Sequence, residues 1–162
     1  MFIYSVRAGT LKLFGFIALA LVLTLGIVLV GTDGATLTAG AAGEIEFGGV
    51  KTNEDRVKFI EQFGIKVEDT PVEEEAFAIP ENFDRVILGY NELQKKQGLD
   101  LSKYAKKRVT RYTYKVENYD WDGVVYANIF VYRSRVVGCD VSSADPEGFV
   151  APLTLVDRGK LK

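Results

Sequence analysis

The sequence predicts an α+β chain: one N-terminal transmembrane helix, then a small domain with two helices packed on an antiparallel sheet that includes a C-terminal three-stranded meander. Three observations predict it. Residues 13–31 form an uncharged apolar run, two later segments repeat apolar residues at helical spacing, and three successive runs beyond Arg108 have strand patterns joined by short turns.

The run from Leu13 to Gly31 would span about 28 Å as a helix, close to the hydrocarbon thickness of a bilayer. Arg7 and Lys12 precede it, whereas Asp33, Glu44 and Glu46 are the first charges beyond it and Lys51 is the first base. That bias predicts a cytoplasmic N-terminus at 1–12, a single-pass anchor at 13–31 and an extracellular C-terminal domain at the cell membrane. A cleaved signal fits less well, because the run exceeds the usual core of about 7–15 residues and the small-x-small site Ala39-Gly-Ala41 lies far beyond its end. A buried helix of a soluble core would carry more polar residues than Thr24 alone. Gly15 and Gly26 are too far apart for close helix pairing, and no acid or base within the run marks a transport path. The lipid bilayer is therefore the expected partner of residues 13–31.

The first 31 residues hold two bases and no acid, so the rest carries 18 Lys and Arg against 22 Asp and Glu. A mildly acidic outer portion gives no reason to expect a nucleic-acid partner. The chain has no histidine and one cysteine, Cys139. An intramolecular disulfide, a Cys/His zinc site and a Ser-His or Cys-His nucleophilic pair are thereby excluded. Cys139 sits in the apolar run Val136–Val141 and is expected as a small buried hydrophobe.

Residues 32–51 are rich in Gly, Ala and Thr and are expected as a flexible linker, although Glu44-Ile-Glu-Phe47 alternates as a short edge strand would. The outer domain, 52–162, opens with Thr52-Asn-Glu-Asp55, an N-cap followed by acids in the first turn. Val57, Phe59, Ile60 and Phe63 continue at helical spacing, and Gly64 supplies a stop, giving a helix over about 52–63. Ile65–Glu68 and Glu73–Ile79 read as strands, with Asp69-Thr-Pro-Val72 as the turn and Pro80 as the close. The second helix is expected to begin near Pro80 or Asn82, to carry Phe83, Val86, Ile87, Tyr90 and Leu93 on one side, and to end at Gly98. Val109–Val116 alternates, Val124–Tyr132 is apolar on both faces, and Arg135–Val141 follows the turn Arg133-Ser134, with Asp120–Gly123 as the earlier hairpin turn. The two helices are expected on one face of this sheet.

No constellation in the outer domain specifies a reaction. Glu68, Asp69, Glu73, Glu74, Glu75 and Glu81 lack the spacing and turn glycine of a calcium loop, and Asp140, Asp145 and Glu147 are explained by the Asp-Pro-Glu-Gly turn. The expectation is accordingly no metal, no cofactor and no catalytic residue. Lys95, Lys96, Lys103, Lys106, Lys107, Arg108, Arg111 and Lys115 form a basic stretch that would either meet an anionic polymer or lipid headgroups, or pair with the acidic stretch across the fold. Ser102-Lys103 and Ser142-Ser143 are isolated pairs, and Asp120 and Asp122 flank Trp121, on which a sugar would stack if the turn were open. Tyr90, Asn91 and Gln94 share one side of the second helix. Open to solvent they would be a binding surface; otherwise Tyr90 is core and the two amides cap strand ends.

Asn53-Glu-Asp-Arg56, Phe59-Ile-Glu-Gln-Phe-Gly64, Ile79-Pro-Glu-Asn-Phe83, Tyr90-Asn-Glu-Leu-Gln94 with Tyr104, Arg111-Tyr-Thr-Tyr114 and Gly138-Cys-Asp-Val-Ser-Ser143 resemble the family catalogued as domain of unknown function 4830. The resemblance implies a single-pass anchor and one outer domain, as in clostridial-type Gram-positive bacteria, and brings no activity with it. The expected function is a membrane-anchored extracytoplasmic binding or interaction domain at the cell envelope, facing an envelope polymer or a membrane-protein partner. The alternatives are a carboxylate-dependent hydrolase of cell-wall glycan and an accessory subunit of a membrane complex.

Overall fold

The computed structural model describes residues 45–162 apart from residue 146. The expected anchor at 13–31, the N-terminal 1–12 and most of the linker lie outside the described residues, and among those described no helix is long and apolar enough to cross a membrane. The elements are α1 (Asn53–Glu61), β1 (Glu73–Ala78), α2 (Arg85–Lys95), β2 (Arg108–Lys115), β3 (Val125–Tyr132), β4 (Arg135–Ser143) and β5 (Val150–Ala151). The five strands form one sheet in the order β1-β2-β3-β4-β5, every neighbour antiparallel; β2 to β5 make the C-terminal meander, whereas the chain passes from β1 to β2 through α2.

α1 starts where its sequence says. The Thr52 hydroxyl accepts from the Asp55 N–H at 3.2 Å while the Asp55 carboxylate accepts from the Thr52 and Lys51 N–H groups at 2.9 Å each, a reciprocal capping box. α2 starts later than expected. Asp84, rather than Pro80 or Asn82, is the cap, accepting from the N–H groups of Val86 at 3.0 Å and Ile87 at 2.9 Å, and Phe83 stays in the preceding loop. The buried side of α2 is Ile87, Tyr90, Asn91 and Gln94, turned from the apolar side expected because the two amides find partners inside. Ile65–Glu68 is not a strand of the sheet: only Val67 bridges Val116, since β1 already occupies the edge of β2 from Arg108 to Thr113. The Arg133-Ser134 turn has φ of 46° and 63°, the left-handed pair that a two-residue hairpin requires.

The helices lie on opposite faces, correcting the expectation of one. Tyr114, Ala127, Ile129, Cys139 and Val141 share a face and pack with Phe59 and Ile60 of α1 and Phe63 just after it. Val109, Phe130 and Val137 belong to the other core with Tyr90 of α2, Ile79 and Leu101. A central strand apolar on both sides demands both layers, and β3 is that strand. The core also reaches back ahead of Thr52: Val50 is buried, its N–H donates to the Ser134 carbonyl at 3.0 Å, and the Val136 N–H donates to the Phe47 carbonyl at 2.7 Å.

Phe130 is the centre of the second core, edge-on to Phe77 at 5.7 Å and to Tyr90 at 5.9 Å. It lies against Gly138, where a Cβ would stand 2.5 Å from the ring and 3.1 Å from Leu101. Gly138→Ala should therefore destabilise the domain by about 1–3 kcal/mol through overpacking. Gly98→Ala meets nothing within 4 Å and pays only for φ of +80°, on the order of 1 kcal/mol. Urea unfolding followed by the fluorescence of Trp121 would measure both, and a neutral Gly138→Ala would refute the close approach.

Candidate functional site

Buried polar residues gather where α2 meets β4. Gln94 is fully buried and uses its amide as a piece of strand: it accepts from the Cys139 N–H at 2.9 Å and donates to the Cys139 carbonyl at 3.1 Å. Gln97, on the turn that ends α2, donates to the same carbonyl at 2.6 Å and to Gln94 Oε1 at 2.9 Å, and accepts from the Thr154 N–H at 3.2 Å. Asn91 accepts from the Leu101 N–H at 2.7 Å and donates to Asp100 at 2.9 Å. Asp100 is held below the usual carboxylate range by the Ser102 hydroxyl first and by Asn91 second. Tyr90, 4% exposed, donates its hydroxyl to Asp140 at 2.5 Å. Tyr90, Asn91 and Gln94 thus come together but face inward, and they are not an open binding surface. Burial pushes the Cys139 thiol well above its ordinary value, and its Sγ lies 3.5 Å from Gln97 Oε1.

Asp140 opens onto a row of polar side chains, of which the sequence did not single out Thr113 and Asn128. Asn128 donates to Asp140 Oδ1 at 2.8 Å and to Ser142 Oγ at 3.1 Å, and accepts from the Thr113 hydroxyl at 2.8 Å. The register places Thr113, Asn128 and Asp140 side by side on the face that α2 covers, with Lys115, Tyr126 and Ser142 as the next row beyond the helix. Arg111 shares this face. It pairs with Glu73 at 2.7 Å and Glu75 at 3.2 Å, and its buried Nε has no partner among the described residues. Burial raises the Asp140 carboxyl above the usual range, against the hydrogen bonds of Tyr90, Asn128 and Ser142 and the charge of Arg111. Burial, and then the Asp140 charge, raises the Tyr90 phenol well above its own, so it stays a donor. The strand alternation of 109–116 and the threonine and asparagine within apolar strands were the available signals; the register that lines them up was not.

The remaining candidates separate. Acidic and basic stretches pair across the fold through Arg111 with Glu73 and Glu75, Lys115 with Glu68, and Lys106 with Glu81. Glu74, Asp145 and Glu147 are exposed, and no three acids or thiols gather as metal ligands among the described residues. Ser102 donates to Asp100 at 2.6 Å rather than serving Lys103. Asp120–Gly123 is no free tip, because Asp120 pairs with Lys162 and the Trp121 ring stands edge-on to Phe149 at 5.0 Å. The side of Trp121 expected for a sugar is partly taken by protein.

Gln94→Ala leaves a buried N–H at Cys139 without a partner and should lower stability by about 2 kcal/mol, with Gln94→Glu costing more because a carboxylate has no donor for the Cys139 carbonyl. Urea midpoints decide it. Because the Asp140 pKa is raised on folding, its contribution is fully present below the ordinary carboxylate range and is lost as pH rises through the raised value. Wild type should therefore lose stability relative to Asp140→Asn as pH rises from the ordinary carboxylate range, and parallel pH profiles would count against a desolvated carboxylate.

Residues 59–141 match the model of a family described as a domain of unknown function, DUF4830. The match runs from Phe59 in α1 to Val141 in β4, more than half of the chain, and takes in Tyr90, Gln94, Arg111, Asn128 and Asp140. No curated protein and no solved structure matches it. With its matched span covering the helix–sheet core just described, the chain belongs to the DUF4830 family.

Proposed function

We propose that the chain is a binding or interaction domain held at the outer side of the cell membrane by residues 13–31, with the polar sheet face as its binding surface. The charge bias around the apolar run supports the orientation. One observation carries the binding role: Thr113, Asn128, Asp140 and Ser142 fix one another by hydrogen bonds in adjacent rows, and the half-buried Asn128, Ser142 and Tyr126 leave that set reachable at its margin. Side chains already held by their neighbours lose little freedom on binding, which favours a polar ligand such as an envelope polymer. Arg111 Nε adds a buried donor at the margin of the same face.

Protease added to intact cells should digest a C-terminally tagged chain while a cytoplasmic control survives. Protection of the tag would refute the orientation. Isolated cell-wall sacculi should retain the full chain, and Tyr126→Ala with Asn128→Ala should lower retention roughly tenfold through lost hydrogen bonds. Equal retention of the variant would remove the sheet face as the binding surface.

A further inference from the structure

One end of the domain collects bases around an apolar pocket. β2 begins there with Arg108, β3 ends there with Tyr132, and the Arg133-Ser134 turn leads into Arg135. The Lys106 N–H donates to the Ile79 carbonyl and the Lys107 N–H to the Tyr104 carbonyl, at 2.8 and 2.9 Å, so the 103–108 segment borders the end of β1. Tyr104 in turn stands edge-on to Tyr132 at 5.7 Å. Between β1 and α2 a pocket of about 20 Å³ is lined by Ile79, Pro80, Phe83, Ile87 and Leu101 among others. Leu88, next along α2, is 51% exposed. Lys103, Lys107, Arg108, Arg133 and Arg135 are exposed at this end with no ion pair among the described residues, and the one local pair is Lys106 with Glu81. The segment that leads from residue 45 into the domain is bonded to the same end, Phe47 to Val136 and Val50 to Ser134.

We propose that this end docks on the anionic headgroup surface of the lipid bilayer, with Lys103, Lys107, Arg108, Arg133 and Arg135 against phosphates and Leu88 and the pocket rim against the acyl boundary. The proposal rests on the anchored reading of residues 13–31. Two features favour lipid over a wall polymer. Apolar side chains sit among the bases, as an interfacial surface requires, and the chain enters the domain at the end that would face the membrane. Docked in this way, the domain holds its polar row of Tyr126 and Ser142 toward the far end of the strands, roughly 20 Å away at about 3.3 Å per residue.

The full chain in nanodiscs tests this, with amide exchange followed in residues 79–88, 103–108 and 132–135. Discs of phosphatidylcholine with phosphatidylglycerol should slow exchange there about tenfold relative to phosphatidylcholine alone, and the triple variant Lys107→Gln, Arg108→Gln, Arg133→Gln should abolish the difference. Equal exchange in both lipids overturns the proposal, as does protection that arises only when teichoic acid is added to neutral discs. Extraction of the chain from cell membranes by alkaline carbonate would defeat the anchored reading separately. In that event co-sedimentation of the full chain with phosphatidylglycerol vesicles decides docking: the triple variant should bind on the order of a hundredfold more weakly, and unchanged binding overturns it.

Discussion

The outer edge of β4 is the constraint from which the rest of the packing follows. Its backbone groups that turn away from β3 are buried, and each must find a partner because an unpaired one costs about 1–3 kcal/mol. β5 supplies partners only around Val141 and Ser142. The Phe47 carbonyl takes the Val136 N–H, the Phe149 carbonyl takes the Ser143 N–H, and between them Cys139 is left to side chains. Gln94 and Gln97 fill that gap, so α2 is tied to the sheet at one residue by both a donor and an acceptor. A hydrophobic contact would let the helix slide; this arrangement fixes its height and rotation.

With Gln94 pinned, the residues one turn earlier have little freedom of position. Tyr90 comes down over Phe130 and reaches Asp140, while Asn91 meets the start of the 3₁₀ turn at Leu101. Asp140 is consequently carried out of water, where its charge is unfavourable, and it is compensated by one donor on each oxygen and by the charge of Arg111. The compensation extends across β3 and β2 through Asn128 and Thr113. The polar sheet face is therefore the continuation of the device that holds α2, and its side chains are fixed for that reason.

Much of this fold was legible because local signals were strong. Thr52 with Asp55 set the start of α1, Arg133-Ser134 set the tightest turn, and the both-sided apolarity of Val124–Tyr132 marked the central strand. That same both-sidedness required a layer on each face, a consequence the expectation of two helices on one face failed to follow through. β5 has two residues and no period to detect. The start of α2 was missed because Asn82 and Asp84 are both good caps, and which one closes the helix depends on where Phe83 packs. The site was less legible. Its members are on α2, β2, β3 and β4, and a single residue's shift in strand register would move Asn128 and Asp140 to the other face. The alternative reading of the helix amides, as caps on strand backbone, was available from their chemistry and holds for Gln94 at Cys139, while Asn91 caps the Leu101 N–H outside the strands; neither target was legible.

Register also sorts the charges. The acidic and basic stretches are each repulsive along the chain, yet antiparallel pairing of β1 with β2 sets Glu75 directly opposite Arg111 and Glu73 one step along the same face. Such cross-strand pairs contribute roughly 0.2–1 kcal/mol each. The match holds only over the first half of β1, because its second half presents Ala76, Phe77 and Ala78 to Thr110, Val109 and Arg108. Arg108 has no acid in register, and Lys103 and Lys107 precede the paired strand altogether. Within the strand pair, the reach of the β1 acids thus decides which β2 bases are paired, while Lys115 and Lys106 find Glu68 and Glu81 on either side of β1.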